Sequence, residues 1–163
     1  MEMAEHVPDL DSLLRVPYVD PDHGFDLSPR GGGLLAFACD GTGQWEIYTM
    51  PLDGSRPPRQ VTGGPGAKLA PRWSPDGQRL AYVVDLEGGE QYDIWVYDLL
   101  GQVHTNLTAG TPDTIKPHFA WSPASDQIAF ISDRSGYFET YVLPITGGEP
   151  RCVFSIPRPD RDV

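Results

Sequence analysis

Trp73-Ser74-Pro75-Asp76-Gly77-Gln78-Arg79-Leu80-Ala81-Tyr82, followed by Asp93-Ile94-Trp95-Val96-Tyr97-Asp98-Leu99, is the stretch that decides how this chain folds. Its first half is a turn with a mechanism. Pro75 presets φ at the second turn position, Asp76 suits the third, and Gly77 suits the fourth. The apolar runs on either side are too short for helices and rich in Val, Ile, Tyr and Trp, which favours strands. Alternation in the second half puts Ile94 and Val96 on one face and Trp95, Tyr97 and Leu99 on the other. A strand apolar on both faces must be covered on both.

The same landmarks recur. Ser-Pro stands at Ser28-Pro29, Ser74-Pro75 and Ser122-Pro123, spaced by 46 and then 48 residues. After each comes an apolar run: LLAFA at 34–38, LAYVV at 80–84 and IAFIS at 128–132. A polar, glycine-containing hairpin follows at 40–44, 85–91 and 133–137. A second run, EIYTM at 46–50, DIWVYDL at 93–99 and ETYVL at 139–143, leads to the endings QVT at 60–62, NLT at 106–108 and CVF at 152–154. The third turn has Ala124 and Ser125 in place of Asp-Gly, and the first is one residue longer around Gly31 to Gly33.

Four strands per copy are expected, in the second copy at about 70–74, 79–84, 92–98 and 102–107. Such a unit is a propeller blade. The fold class is therefore all-β: a β-propeller of three four-stranded antiparallel blades, part of a ring of six to eight. Residues 1–23 form a leader, 24–62 blade 1, 63–108 blade 2, 109–154 blade 3, and 155–163 a tail or the start of another blade. The one helix expected lies in the leader at 9–15, capped by Asp9 with Leu10, Leu13 and Leu14 on one face.

The Trp-Ser-Pro-Asp-Gly motif at 73–77, with Leu80-Ala81-Tyr82, the run at 93–99 and Asn106-Leu107-Thr108, resembles the TolB-like propeller repeat over about residues 24–154. That repeat occurs in TolB and in prolyl oligopeptidase-family serine peptidases, including acylaminoacyl-peptidase-like enzymes. The leader before Phe25-Asp26-Leu27 looks like the opening of such a peptidase propeller. The resemblance implies a non-catalytic propeller that gates peptide access to a C-terminal α/β-hydrolase domain. The nucleophile of that domain sits on a Gly-x-Ser-x-Gly elbow. No serine of this chain stands in that pattern, so no triad residue is carried over. The alternative implied is a stand-alone TolB-like propeller that binds a protein or peptide. A propeller lyase or lactonase with metal at the channel is the third.

The chain carries 12 Lys and Arg against 23 Asp and Glu, for a formal charge of -11. That charge argues against nucleic acid as a partner. No stretch approaches the roughly 18 apolar residues of a membrane span, so no membrane partner is expected. The opening residues lack the basic and apolar regions of a signal peptide. Cytoplasm is the expected location, with Cys39 and Cys152 as buried free thiols. The sequon at Asn106 carries little meaning there.

Candidate chemistry is sparse. His6, His23, His104 and His118 show no metal-ligand spacing, and His118 lies where an inner strand borders the channel. Asp20, Asp22 and Asp26 around Gly24 faintly resemble a calcium loop but lack a later bidentate Glu. The runs at Gly31–Gly33 and Gly63-Gly64-Pro65-Gly66 precede neither a helix nor Lys-Ser/Thr, so they read as inter-blade loops rather than phosphate cradles. Trp73 and Trp121 follow the repeat and read as core. Asp40, Asp85 and Asp133 recur after the apolar run and are expected to share a turn-stabilising bond. No residue is assigned a catalytic, cofactor-binding or metal-binding role, and no cofactor is expected.

Three blades do not close a ring, so the outer faces of blades 1 and 3 are expected to be apolar and bare. Covering ~400 Å² on each, at ~25 cal/mol per Å², amounts to about 20 kcal/mol gross, much of it offset by association entropy. Two covers are expected: missing blades and a hydrolase domain of the same protein, or a second copy in a three-plus-three ring.

Overall fold

The computed structural model describes residues 18–22, 24–29, 33–110 and 115–155, with side chains of 115–117 excluded. The leader helix expected at 9–15 and the 155–163 tail beyond Ser155 fall outside these residues.

Three four-stranded antiparallel sheets make up the described chain, each a meander in sequence order, and no helix occurs among the described residues. Blade 1 comprises β1 (Phe25–Leu27), β2 (Leu34–Cys39), β3 (Glu46–Pro51) and β4 (Arg59–Gln60). Blade 2 comprises β5 (Ala67–Trp73), β6 (Arg79–Asp85), β7 (Tyr92–Asp98) and β8 (Val103–Asn106). Blade 3 comprises β9 (Ile115–Trp121), β10 (Gln127–Ser132), β11 (Glu139–Pro144) and β12 (Arg151–Phe154). This is an incomplete β-propeller.

The inner strand of blade 2 starts three residues earlier than the pattern at 70–74 implies. β5 pairs Leu69 with Val83 and next Arg72 with Ala81, so the ladder is bulged. Ala70, inside the bulge, is left-handed at φ 52°. Pro71 has no N–H to give the ladder, and bulges are where sheets accept proline. The bulge shifts the alternation and hides the strand's start.

The Ser-Pro turns close alike. Ser74 N donates to Arg79 O at 2.9 Å, Ser122 N to Gln127 O at 2.9 Å, and Ser28 N to Leu34 O at 2.9 Å across the longer first turn. Within the turn, Gly77 N reaches Ser74 O at 2.8 Å and Ser125 N reaches Ser122 O at 3.0 Å. The residue ending each turn is left-handed: Gly77 at φ 68° and Ser125 at φ 62°. The serine is a landmark for a reason beyond backbone shape. Ser74 Oγ donates to Asp76 Oδ1 at 2.6 Å and accepts from Arg79 N at 2.9 Å. Ser122 Oγ donates to Asp126 Oδ1 at 2.7 Å and accepts from Gln127 N at 3.1 Å.

Blade 2 is sandwiched as its two apolar faces require. Leu80, Tyr82, Val84 and Tyr97 pack with Ala36, Ala38 and Ile47 of blade 1. The alternate residues Ala81, Val83, Ile94 and Val96 pack with Ile128, Phe130, Tyr141 and Leu143 of blade 3. The two joints share a polarity. Each blade offers small and β-branched side chains to the next blade, and receives large ones from it. The core is thus two layers of bumps in hollows, one per joint.

Candidate functional site

Polar groups concentrate in the two joints. At the joint between blades 1 and 2, Asp26 on β1 accepts Trp73 N at 2.7 Å through Oδ2. Lys68 on β5 pairs with Glu46 on β3 at 3.0 Å, with the two side chains 4% and 3% exposed. The ammonium of Lys68 also donates to Gly64 O. Glu46 Oε2 accepts the Thr62 hydroxyl at 2.5 Å, and that same oxygen of Thr62 accepts Ile47 N at 2.8 Å. Burial, and after it the Glu46 charge, pushes the Tyr82 phenol far above its ordinary value. An ammonium so enclosed is a structural tether rather than a free reagent, because its charge is already satisfied.

Between blades 2 and 3, among the described residues, two neutral donors cross the joint. Trp121 Nε1 donates to Arg72 O at 3.0 Å, and Asp76 N donates to Ser125 Oγ at 3.0 Å. Trp73, at the matching position in blade 2, has its indole Nε1 buried without a partner among the described residues, as has Trp95. Trp73 borders a cavity of about 150 Å³ between blades 1 and 2, with Leu34, Thr49, Arg59, Leu80 and Gln102 among its walls.

The candidate residues disperse into structural roles. His104 stacks on Tyr97 at 4.4 Å between ring centres, and its Nδ1 lies 2.8 Å from the Tyr82 hydroxyl. Burial lowers its pKa, against a smaller opposing contribution from a backbone contact at Val61. His118 is exposed on β9, and His6 and His23 lie outside the described residues. Among the described residues no three His, Cys, Asp or Glu converge as a metal site. Asp20 Oδ1 accepts Asp22 N at 2.9 Å, which is an Asx turn, and Asp26 is the latch to Trp73. Trp73 is core, 6% exposed, and Trp121 packs at the edge of the second cluster.

The three recurring aspartates differ in detail. Asp85 caps its hairpin through its carboxylate, accepting Glu87, Gly88 and Glu90 N at 3.2, 2.8 and 3.1 Å. Asp40 and Asp133 accept Gly43 N and Gly136 N on their main-chain oxygens, at 2.7 and 2.6 Å. The shared bond is therefore made by carboxylate in one copy and by backbone in the other two. The carboxylate of Asp40 turns to Tyr18 N at 2.5 Å. The expectation of two buried thiols needs correction: both cysteines are free, but Cys39 is half-buried and Cys152 exposed. Cys152 sits on β12, which is exposed along its length.

Of the glycine runs, Gly31 and Gly32 lie outside the described residues. Gly66 has a plain reason. At φ 82°, a Cβ there would stand 2.6 Å from Asp85 O and 3.0 Å from Leu86 Cα. This is close approach of two backbones, with no phosphate cradle.

Sequence reasoning missed the meaning of QVT and NLT. Thr108 repeats what Thr62 does, donating to Asp93 Oδ1 at 2.9 Å and accepting Ile94 N at 3.0 Å. Asn106 Nδ2 adds a bond to Asp93 Oδ2 at 2.8 Å. The Asn106 sequon is thus a fold latch. The recurrence of an acid opening the third strand and a threonine 16 or 15 residues later, Glu46 with Thr62 and Asp93 with Thr108, could have revealed it.

A family model described as "TolB beta propeller domain" matches residues 55–156. The uncharacterized peptidase YuxL of Bacillus subtilis is 35% identical over 92 residues, covering 53% of this chain and 14% of that protein. The Tol-Pal system protein TolB of Desulfosudis oleivorans is 32% identical over 113 residues, covering 69% of this chain and 24% of that protein. A puromycin-hydrolyzing peptidase of Mycobacterium tuberculosis superposes with a TM-score of 0.69 at 22% identity, over 81% of this chain and 22% of that one. The matched part of the chain spans less than a quarter of each.

Proposed function

Because the chain belongs to the TolB β-propeller family, we propose that it is the non-catalytic propeller section of a prolyl oligopeptidase-like serine peptidase. It acts in the cytoplasm by steric selection. A rigid stack of blades admits short, flexible peptides to a hydrolase domain and turns folded proteins away. The observation that carries this reading is the likeness to a peptidase at 35% identity, joined to polar side chains committed to structure within and between the blades. Glu46, Lys68, Asp85, Asp93 and His104 are all engaged by neighbours.

The chain by itself should hydrolyse no peptide and take up no fluorophosphonate serine probe. The coding sequence downstream of Val163 should encode further blades and a Gly-x-Ser-x-Gly elbow. Specific probe labelling of the isolated chain overturns the reading. Likeness to TolB over a longer stretch, 113 residues, favours a second reading, a propeller that binds a protein or peptide partner. Absence of an elbow downstream decides for that one.

A further inference from the structure

One position in the stack breaks the repeat. Two residues beyond the latched Ile94, blade 2 sets Val96, buried against blade 3 and paired across the ladder with Thr105. Two residues beyond the latched Ile47, blade 1 sets Thr49, half-buried and paired with Arg59. Both residues line the cavity of about 150 Å³ between blades 1 and 2, whose apolar wall includes Leu34, Leu80 and Leu99. The cavity lies at the end of the stack that carries the Ser-Pro turns, since Trp73 closes β5 and Leu34 opens β2. Leu34, Thr49 and Arg59 also line a hollow of about 500 Å³, bordered by the exposed Arg56 and Pro58. The cavity therefore continues outward into a wider cleft. The tryptophans make the same contrast. Trp121 gives its indole N–H to Arg72 O. Trp73, 6% exposed on the cavity wall, has no partner for its own among the described residues. A buried donor left open beside a cavity calls for a bound acceptor. Arg59 is exposed and forms no ion pair among the described residues, although the chain carries 23 Asp and Glu.

We propose that this cavity binds a carboxylate carrying one compact apolar group, a benzene ring or a branched aliphatic side chain. Apolar walls with a few convergent polar groups are the mark of a small-molecule site, and a hole of roughly 150 Å³ is of the size that takes up benzene. The planar fork of an arginine meets a carboxylate through two parallel bonds. A bare phosphate would leave the apolar walls unfilled, and a neutral hydrocarbon would leave Arg59 unused. The cleft beyond gives room to the rest of a longer ligand. The acid is therefore either a free small molecule or the C-terminal residue of a peptide. Both walls belong to blades 1 and 2, so the site needs neither a second copy nor a further blade. It goes beyond the peptidase reading and does not depend on it.

Amide NMR of the protein titrated with N-acetylphenylalanine tests this, with near-ultraviolet circular dichroism as the check that each variant is folded. One saturable site is expected, with a dissociation constant on the order of 1 mM. The indole resonance that Trp73→Phe removes should be among those that shift. Arg59→Gln, a change at an exposed position, should weaken binding about tenfold or more. The amide of the same probe should bind wild type and Arg59→Gln equally weakly. Val61→Phe, on the cavity wall, fills the hole and should abolish binding of acid and amide alike. N-acetyl-Ala-Ala-Phe with a free carboxylate should bind as tightly as the single residue if a peptide end is the natural ligand. Its exclusion while the single residue binds assigns the site to small free acids. Absence of saturation overturns the proposal, as does binding that Arg59→Gln leaves unchanged. The readout is binding, so the result is independent of whether the peptidase reading holds.

Discussion

The joint between blades 1 and 2 and the joint between blades 2 and 3 join the same kinds of face by different polar means. The first encloses an ion pair, Lys68 with Glu46, both almost fully buried. The second uses neutral donors, the Trp121 indole on Arg72 O and Asp76 N on Ser125 Oγ. The apolar filling stays the same while the hydrogen bonding is exchanged. Shape complementarity is therefore the invariant of the stack, and the polar groups are local solutions to the need that buried donors and acceptors be paired.

The largest break in that comparison is Lys68→Met. It strands Glu46 in a buried joint and should cost about 3–5 kcal/mol in urea unfolding. Adding Glu46→Gln should return much of the loss, because the orphaned charge is gone. A loss that persists in the double variant means that lysine packing, not charge, holds the joint. Next is the hydroxyl latch: Thr62→Val or Thr108→Val should each cost about 1–3 kcal/mol by leaving a carboxylate oxygen and an amide unpaired. Phe154, at the equivalent place in blade 3, is 62% exposed and makes no such latch, so Phe154→Val should move the midpoint little.

The two tryptophans sharpen the contrast. Trp121→Phe deletes the bond to Arg72 O, whereas Trp73→Phe deletes an indole N–H that has no partner. Trp121→Phe should be the more destabilising by about 1 kcal/mol. Equal losses would show that the Trp73 indole is hydrogen-bonded in solution. Smaller still is Ser125→Gly. It relieves a left-handed serine worth about 1–2 kcal/mol and forfeits the bond from Asp76 N, worth about 1 kcal/mol, so the net change should stay within about 1 kcal/mol.

His104 gives the joint between blades 1 and 2 a weak pH dependence. Burial lowers its pKa in the folded state, so the unfolded chain binds the proton more readily. Stability is full above the unfolded value of about 6.5 and falls as pH drops from there toward the lower folded value. Histidine NMR titration should place His104 below the ordinary imidazole value, and His104→Gln should flatten the acid side of the stability profile. A His104 that titrates at or above the ordinary value contradicts this.

The tandem repeat, its antiparallel blades and its turns were legible in the chain alone. Ser-Pro, Asp-Gly and the period-two runs encode local geometry that needs no partner, and Pro75 with Gly77 sets a turn wherever it stands. Two faces of β7 were equally plain, since Ile94 and Trp95 are neighbours that must point apart. What went unread depends on residues far apart in sequence. No pattern in the sequence singles out Lys68, which β5 lays against Glu46. Thr108 looked like part of a sequon until β8 carried it back to Asp93. Gly66 looked like loop filler until Asp85 O came within reach of its missing Cβ.

Sequence by itself determined the blade: its four strands, its turns and the alternation that makes both of its faces apolar. Only the tertiary structure decided which face meets which, and so exposed the order of large against small along the stack. Alternation assigns a residue to a side of its own sheet through local backbone geometry. The neighbour across a joint is brought there by packing, a property of the assembled chain.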